Sequence, residues 1–227
     1  MHLAIDTSTD FASLALVQDD QIIGEISWRC GRNHTAQLLP SLSVLLERAG
    51  LELKAAVGII VARGPGSYNG LRVGLSTAKA LAFSLGVPLV GVSTLEAEAY
   101  QHAERGLPVC AIFNAGRGEI AAAVYQKRGD EWTRLVPEHV TTVSALVTQV
   151  ASPTVFCGEY IATVAADLIE LLGKKAVIAP PASRLRRAGY LAELGLRRLK
   201  AGDQDDPTAL QPLYLRGPAI TQPKNPW

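Results

Sequence analysis

The chain has 227 residues, 48% of them hydrophobic, and carries a formal net charge of +1 at pH 7. This composition predicts a globular protein with a sizeable core, arranged as one large domain or two small ones, and argues against a general nucleic-acid binder, which would be more basic. No signal-peptide pattern opens the sequence, and its longest apolar run, residues 80–92, is too short to cross a bilayer. We therefore expect a cytoplasmic protein that does not contact membranes.

The first half of the chain predicts three strands and then alternating helices and strands. The strands cover residues 2–7, 11–17, 21–28, 56–62 and 88–92, and the helices cover residues 34–49, 70–86 and 93–103. In the first helix, Asn33 is the expected cap and Gly50 the expected stop, while Pro40 should kink the first turn or delay the start. Because the first three strands pair antiparallel before any crossover, this order is not a plain Rossmann alternation.

The second half of the chain repeats this order more loosely. It predicts strands at residues 109–115, 119–127, 132–140 and 154–158, and helices at residues 143–151, 160–173 and 183–202. The arginines of the last helix are interpreted as a solvated face in preference to an RNA contact, and Glu96 and Glu98 as solvated helix carboxylates. A tail rich in proline and polar residues follows from Asp203.

The turn after the first strand is one candidate site. Its sequence, Asp6-Thr7-Ser8-Thr9, offers amides and hydroxyls suited to a phosphate, with Asp6 facing a magnesium ion. The competing interpretation is that aspartate and threonine simply favour hairpin turns. The residues themselves leave both interpretations open.

The glycine-rich stretch GPGSYNG at residues 64–70 also has two interpretations. Gly64, Gly66 and Gly70 permit an anion nest before a helix, although their spacing matches neither a Walker loop nor a dinucleotide fingerprint. The alternative is a rigid turn, capped by Asn69, that fixes where the next helix begins.

The predicted helix at residues 70–86 is apolar nearly all round, which indicates burial on more than one side. One side suits a sheet, and a ridge of small residues would let a second helix approach closely. That helix is either the leucine-rich segment 34–49 or a helix of another protein; burial within the chain alone is the competing interpretation.

Motifs for metal binding are absent from the sequence. The histidines at positions 2, 34, 102 and 139 show neither HxxxH nor HExxH spacing, and the cysteines at 30, 110 and 157 form no CxxC pair. The cysteines are expected to be buried free thiols. Only the fold could bring a cysteine and a histidine together.

These motifs occur in the order and spacing of a known family. AIDTST, HTAQLLPSL, GPGSYNGLRVGLSTAKALA and GVSTLEAEA resemble the bacterial TsaB (YeaZ) family closely over residues 1–100, and the rest, including PLYLRGPA, resembles it loosely. The resemblance implies an α/β fold of the actin-like, Hsp70-like ATPase class (ASKHA, ribonuclease H-like) with two related subdomains. These are expected at residues 1–104 and 105–204, with a tail at 205–227 that packs back on the first.

The same resemblance implies a role in making threonylcarbamoyladenosine 3′ to the anticodon of tRNAs that read ANN codons. It implies a non-catalytic scaffold that pairs with its paralogue TsaD, the transferase, is joined by the ATPase TsaE, and meets tRNA through the complex. No cofactor of its own is expected, although ATP or ADP with magnesium could be shared in the complex. An actin-fold phosphotransferase or ATPase is the alternative function, and a homodimer is the alternative assembly.

The resemblance also assigns residues. TsaD is similar to a pattern His-Leu-Glu-Gly-His whose histidines bind the catalytic metal, whereas this chain has Thr94 and Glu98 at those two positions, so no catalytic or metal-binding residue is expected. Asn114 stands where the family usually has a carboxylate, which weakens the ATPase alternative. A vestigial phosphate loop is expected at Asp6, Thr7, Ser8 and Thr9, and a partner surface at Leu38, Leu42, Leu45, Leu71, Gly74, Leu75, Ala78 and Ala82.

Overall fold

The structure is a computed structural model that describes residues 1–216, and these fold around two five-stranded sheets. The first sheet has the order β3-β2-β1-β4-β5. Its strands are β1 (His2–Asp6), β2 (Phe11–Gln18), β3 (Gln21–Arg29), β4 (Gly58–Gly64) and β5 (Leu89–Ser93). The first three strands pair antiparallel, and β4 and β5 continue the sheet in parallel, as the sequence predicts.

The second sheet repeats the first. Its strands are β6 (Val109–Gly116), β7 (Glu119–Arg128), β8 (Glu131–Thr141), β9 (Thr154–Cys157) and β10 (Ala176–Ile178). Their order, β8-β7-β6-β9-β10, is that of the first sheet shifted by five strands, with the same antiparallel meander and the same parallel edge. This duplication confirms the predicted actin-like fold.

Six helices cover the sheets within the described residues. They are α1 (His34–Ala49), α2 (Tyr68–Leu85), α3 (Thr94–Tyr100), α4 (Val143–Val147), α5 (Ile161–Leu172) and α6 (Ala188–Lys200). Alternation along the strands decides the faces: Leu3 and Ile5 point to the core under α1 and α2, while Ala4 points to the core under α6. None of the described helices is long and apolar enough to span a membrane.

Helix α6 lies on the first sheet although it comes late in the chain. Gly195 faces Ile60 of β4 at a distance that leaves no room for a Cβ atom, and the Ala188 amide donates to Ser13 Oγ of β2 at 2.9 Å. The chain after α6 also returns to this sheet, where Leu210 is buried and the Leu213 amide donates to the Arg63 carbonyl at 2.7 Å. The remainder of the predicted tail, residues 217–227, lies outside the described residues.

Several element boundaries differ from the predictions. The first helix runs from His34 straight through Pro40, so a delayed start is wrong, and Gly50 ends it in the left-handed conformation as predicted. Asn33 precedes that helix without a side-chain capping bond. The last helix begins at Ala188, because a 3₁₀ turn at Pro181–Ser183 and an irregular segment replace its predicted first turns, and the short strand β10 was not predicted.

Candidate functional site

A buried ion pair lies where the turn after β1 meets the segment before α6. Arg186 Nε donates to Asp6 Oδ2 at 2.8 Å, and both side chains are 2% exposed. The second oxygen, Asp6 Oδ1, accepts from the Ser8 amide at 2.9 Å and from the Ser8 hydroxyl at 2.5 Å. Both oxygens of the candidate magnesium ligand are therefore bonded to groups of the chain itself.

The same guanidinium reaches the second sheet. Arg186 donates through Nη1 to Glu159 Oε1 at 2.7 Å and through Nη2 to Thr9 Oγ1 at 2.8 Å. Glu159 lies in the turn just after β9 of the second sheet. Burial disfavours the charged form, but the carboxylates of Asp6 and Glu159 outweigh burial and raise the pKa of Arg186 above its ordinary value. Arg186 thus holds a permanent positive charge between the two halves of the fold.

The other residues of the predicted phosphate loop are engaged in the same way. Thr7 Oγ1 donates to the Gly70 carbonyl at 2.7 Å, and Thr9 Oγ1 donates to Glu159 Oε1 at 2.8 Å. All four residues of the predicted loop lie together in the structure. Their side chains are hydrogen-bonded to Arg186, to Glu159, to the Gly70 carbonyl of α2 and to one another. The prediction that the arginines from 183 onward form a solvated face is wrong for Arg186, because the segment that carries it is not helical and turns inward.

The glycine-rich stretch works as a turn that joins β4 to α2. Ser67 caps the helix, accepting from the Gly70 amide at 3.4 Å, and its own amide donates to the Ser8 carbonyl at 2.6 Å. A Cβ atom on Gly66 would overlap the Ser8 carbonyl, and one on Gly70 would overlap the Thr7 carbonyl. The predicted cap at Asn69 is wrong, since the helix begins at Tyr68, and close backbone packing explains the glycines.

The eight residues expected at a partner surface lie inside the chain. All are buried, and they pack between α1, α2 and the first sheet: Leu38, Leu42, Leu45, Leu71, Gly74, Leu75, Ala78 and Ala82. That assignment therefore needs correction, because these side chains form the core under the helices. Phe83 of α2 is 87% exposed and Leu39 of α1 is 54% exposed, so the outward faces of the same helices also carry apolar residues.

A cavity of about 430 Å³ opens beside the buried ion pair, between the ends of the two sheets. Thr9, Gly66 and Glu159 line it together with Asn114 of β6. Asn114 Oδ1 accepts from the Gly116 amide at 2.8 Å. Asn114 thus presents a neutral amide and not a carboxylate to this cavity.

The two positions that the family resemblance aligns with the histidine pair expected in TsaD are buried. Thr94 Oγ1 accepts from the Gly64 amide at 3.0 Å, which ties the start of α3 to the end of β4. Glu98 is fully buried, and burial raises the pKa of its carboxyl to about 8, against a lowering by Arg186. The prediction of a solvated Glu98 is wrong, because α3 is enclosed by α6 and the second sheet.

Sequence comparison extends these observations. The model of the family described as "TsaD: tRNA N6-adenosine threonylcarbamoyltransferase" matches residues 24–222. The tRNA threonylcarbamoyladenosine biosynthesis protein TsaB of Bacillus subtilis is 31% identical to this chain over 217 residues, which cover 94% of this chain and 93% of that protein.

Comparison with solved structures gives the same result for the fold. YeaZ from Pseudomonas aeruginosa superposes with a TM-score of 0.78 and 26% identity, over 94% of this chain and 99% of that one. The ethanolamine utilization protein EutJ from Carboxydothermus hydrogenoformans shares the fold, with a TM-score of 0.51 and 15% identity over 85% of this chain and 89% of that one.

Proposed function

The chain belongs to the TsaB family of tRNA threonylcarbamoyladenosine biosynthesis proteins, and from this membership we propose that it acts in that modification as a non-catalytic subunit. Its partner in this proposal is TsaD, the transferase, with the ATPase TsaE as a further component and tRNA contacted through the complex. The observation that carries the proposal is the Arg186–Asp6 ion pair. In this pair Arg186 binds the Asp6 carboxylate, which is the group that an actin-type ATPase would need for magnesium.

Three further residues support a subunit without catalysis of its own. Thr94 and Glu98 stand at the positions of the paralogue's metal-binding histidines, and Thr94 is bonded to the Gly64 amide instead. Asn114 offers the neighbouring cavity an amide in place of a carboxylate. With Asp6 paired to Arg186 and an amide at position 114, the two groups expected to place magnesium for phosphoryl transfer are not available for that role.

The outward face of α1 and α2 supports the proposal that TsaD docks on this chain. Phe83, Leu39 and Val44 are exposed there by 87%, 54% and 42%. Large apolar side chains that are exposed on neighbouring helices are typical of protein interfaces, where a few central side chains contribute most of the affinity. We propose that this face, with Phe83 at its centre, replaces the buried leucines as the partner surface.

Phe83→Glu is the direct test of this surface. We expect it to weaken binding of purified TsaD by about 30-fold or more, since loss of a central aromatic contact costs on the order of 2 kcal/mol or more. Ile169→Glu is the matched control. The Ile169 side chain is 52% exposed and lies on α5, a helix that packs on the second sheet and is not part of the proposed surface. Unchanged TsaD affinity in a folded Phe83→Glu variant would contradict the proposed surface.

The choice of Phe83 avoids a variant that fails to fold. Leu75 and Ala78 are 3% and 0% exposed, so a charge at either position would enter the core of the chain itself. Loss of the complex in such a variant would report unfolding instead of a broken interface.

The ATPase alternative makes a separate prediction. An actin-fold nucleotide-binding enzyme should bind ATP with magnesium in calorimetry, and Asp6→Ala should abolish this binding. We expect no binding to the isolated chain at millimolar nucleotide, because Asp6 is paired with Arg186. Turnover of ATP by the purified chain would overturn the non-catalytic assignment.

A further inference from the structure

Three side chains of metal-binding type meet between α3 and β9. They are Glu98 of α3, His102 just after α3, and Cys157 at the end of β9. All three are buried, and one candidate ligand atom from each lies within 4.8 Å of the other two. Neither the sheet order nor the proposed function requires such a group at this place.

The Glu98 side chain points to an absent ligand. Its Oε1 accepts from Gln101 Nε2 at 2.8 Å, whereas Oε2 is buried and lacks a hydrogen-bond partner within the described part of the chain. A buried oxygen without a partner costs on the order of 1–3 kcal/mol, and natural structures nearly always satisfy it. A bound group would satisfy this oxygen.

The two other side chains are held in place. His102 Nε2 lies 3.1 Å from the Ser183 carbonyl oxygen, a contact of the kind that orients metal-binding imidazoles. Burial lowers the pKa of His102, which keeps the ring neutral and able to coordinate. Cys157 is fixed by β9, which is paired on both sides within the second sheet.

We propose that Glu98, His102 and Cys157 form a zinc site. A thiolate, an imidazole and a carboxylate are together the donor set that zinc accepts, whereas magnesium and calcium require oxygen ligands. Tetrahedral zinc with bonds of about 2.0–2.3 Å needs ligand atoms about 3.5 Å apart. The three candidate atoms already lie within 4.8 Å of one another, so each separation has to shrink by no more than about 1.3 Å. Zinc takes water as its fourth ligand.

Charge balance supports a divalent cation at this position. On binding, the Cys157 thiol and the Glu98 carboxyl each release a proton, and the resulting two negative charges neutralise Zn²⁺. A buried group with zero net charge avoids the cost of an unpaired ion. The nearby Arg186 already has its own carboxylate partners in Asp6 and Glu159.

The proposed site shares only the position of Glu98 with the paralogue's histidine pair. Thr94, the first position of that pattern, donates no ligand here because its hydroxyl accepts from Gly64. His102 and Cys157 lie outside the pattern altogether. Zinc here would join α3 of the first half of the chain to β9 of the second.

Metal content of the untagged full chain tests the proposal. The protein is stripped with a chelator, mixed with Zn²⁺ and passed through gel filtration, and we expect one zinc per chain. Cys157→Ser and His102→Gln should lose this zinc, whereas Cys30→Ser and His139→Gln, which alter residues outside the cluster, should retain it. Equal retention by all four folded variants, or none by the unmodified chain, would overturn the site.

A spectroscopic measurement on the unmodified chain keeps the test valid if a variant fails to fold. Co²⁺ in place of zinc should give the near-ultraviolet charge-transfer absorption of a cobalt–thiolate bond, and X-ray absorption of the zinc form should find one sulfur neighbour. A first coordination shell without sulfur would contradict the proposal. Neither readout depends on tRNA modification or on TsaD, so this result is independent of the proposed function.

Discussion

Arg186 Nε and Asp6 Oδ2 lie 2.8 Å apart although 180 residues separate them along the chain. Asp6 ends β1 in the first sheet, and Arg186 also holds Glu159, which follows β9 in the second. One guanidinium therefore joins the two halves of the duplicated fold.

Arg186→Met should destabilise the protein strongly. Removing the guanidinium leaves the buried Asp6 carboxylate without its cation, and breaking a buried pair in this way costs about 3–5 kcal/mol. Urea denaturation measures the free energy of unfolding. Lys200→Ala is the control on α6, since its pair with Asp20 is exposed and should contribute no more than about 1 kcal/mol. Similar losses of unfolding free energy in both variants would contradict a larger contribution from the buried Arg186–Asp6 pair.

Ser67→Ala tests the corrected start of α2. Removing a serine cap costs on the order of 1 kcal/mol, because the Gly70 amide loses its acceptor. Asn69→Ala should change the free energy of unfolding by much less, as Asn69 lies within the helix. The reverse order of effects, measured by thermal or urea unfolding, would restore Asn69 as the cap.

Gly70→Ala should destabilise the protein even though alanine is the better helix former. The propensity gain is about 1 kcal/mol, but the new Cβ atom would overlap the Thr7 carbonyl, and overpacking costs about 1–3 kcal/mol. Gly24→Ala provides the comparison, because its Cβ atom would meet only the flexible end of Leu45. A Gly70→Ala variant more stable than the unmodified chain would exclude tight packing of this turn.

Native cysteines should resist alkylation. Burial raises the pKa of Cys110 to about 12 from 9.0, which reduces its thiolate population about a thousandfold near neutral pH, and burial raises the pKa of Cys30 as well. Mass spectrometry after brief iodoacetamide treatment should find neither residue labelled in the native chain and both labelled in denaturant. Rapid native labelling of Cys110 would contradict its placement in the core.

Apart from the short strand β10, the sequence was sufficient to predict the order of strands and helices, because hydrophobic periodicity records which residues face a core. The sequence did not determine whether an apolar helix face packs within the chain or against a partner. Leu38 and Leu75 could have faced a partner, and only the packing of α1 and α2 on the sheet shows that they face inward. No local sequence pattern predicted that the Arg186 side chain is buried. Glu98 and His102 did show such a pattern, since a spacing of four residues places two side chains on one face of a helix.

The return of the chain to the first sheet constrains the order of folding during synthesis. Helix α6 covers one face of that sheet, and Leu210 completes the core on the opposite face. A nascent chain that has released only its first hundred residues would therefore expose an apolar sheet to the crowded surroundings of the ribosome. Completion of the amino-terminal half must wait until nearly the whole polypeptide has been made, so an early stop in translation yields a product prone to aggregation and not a working half.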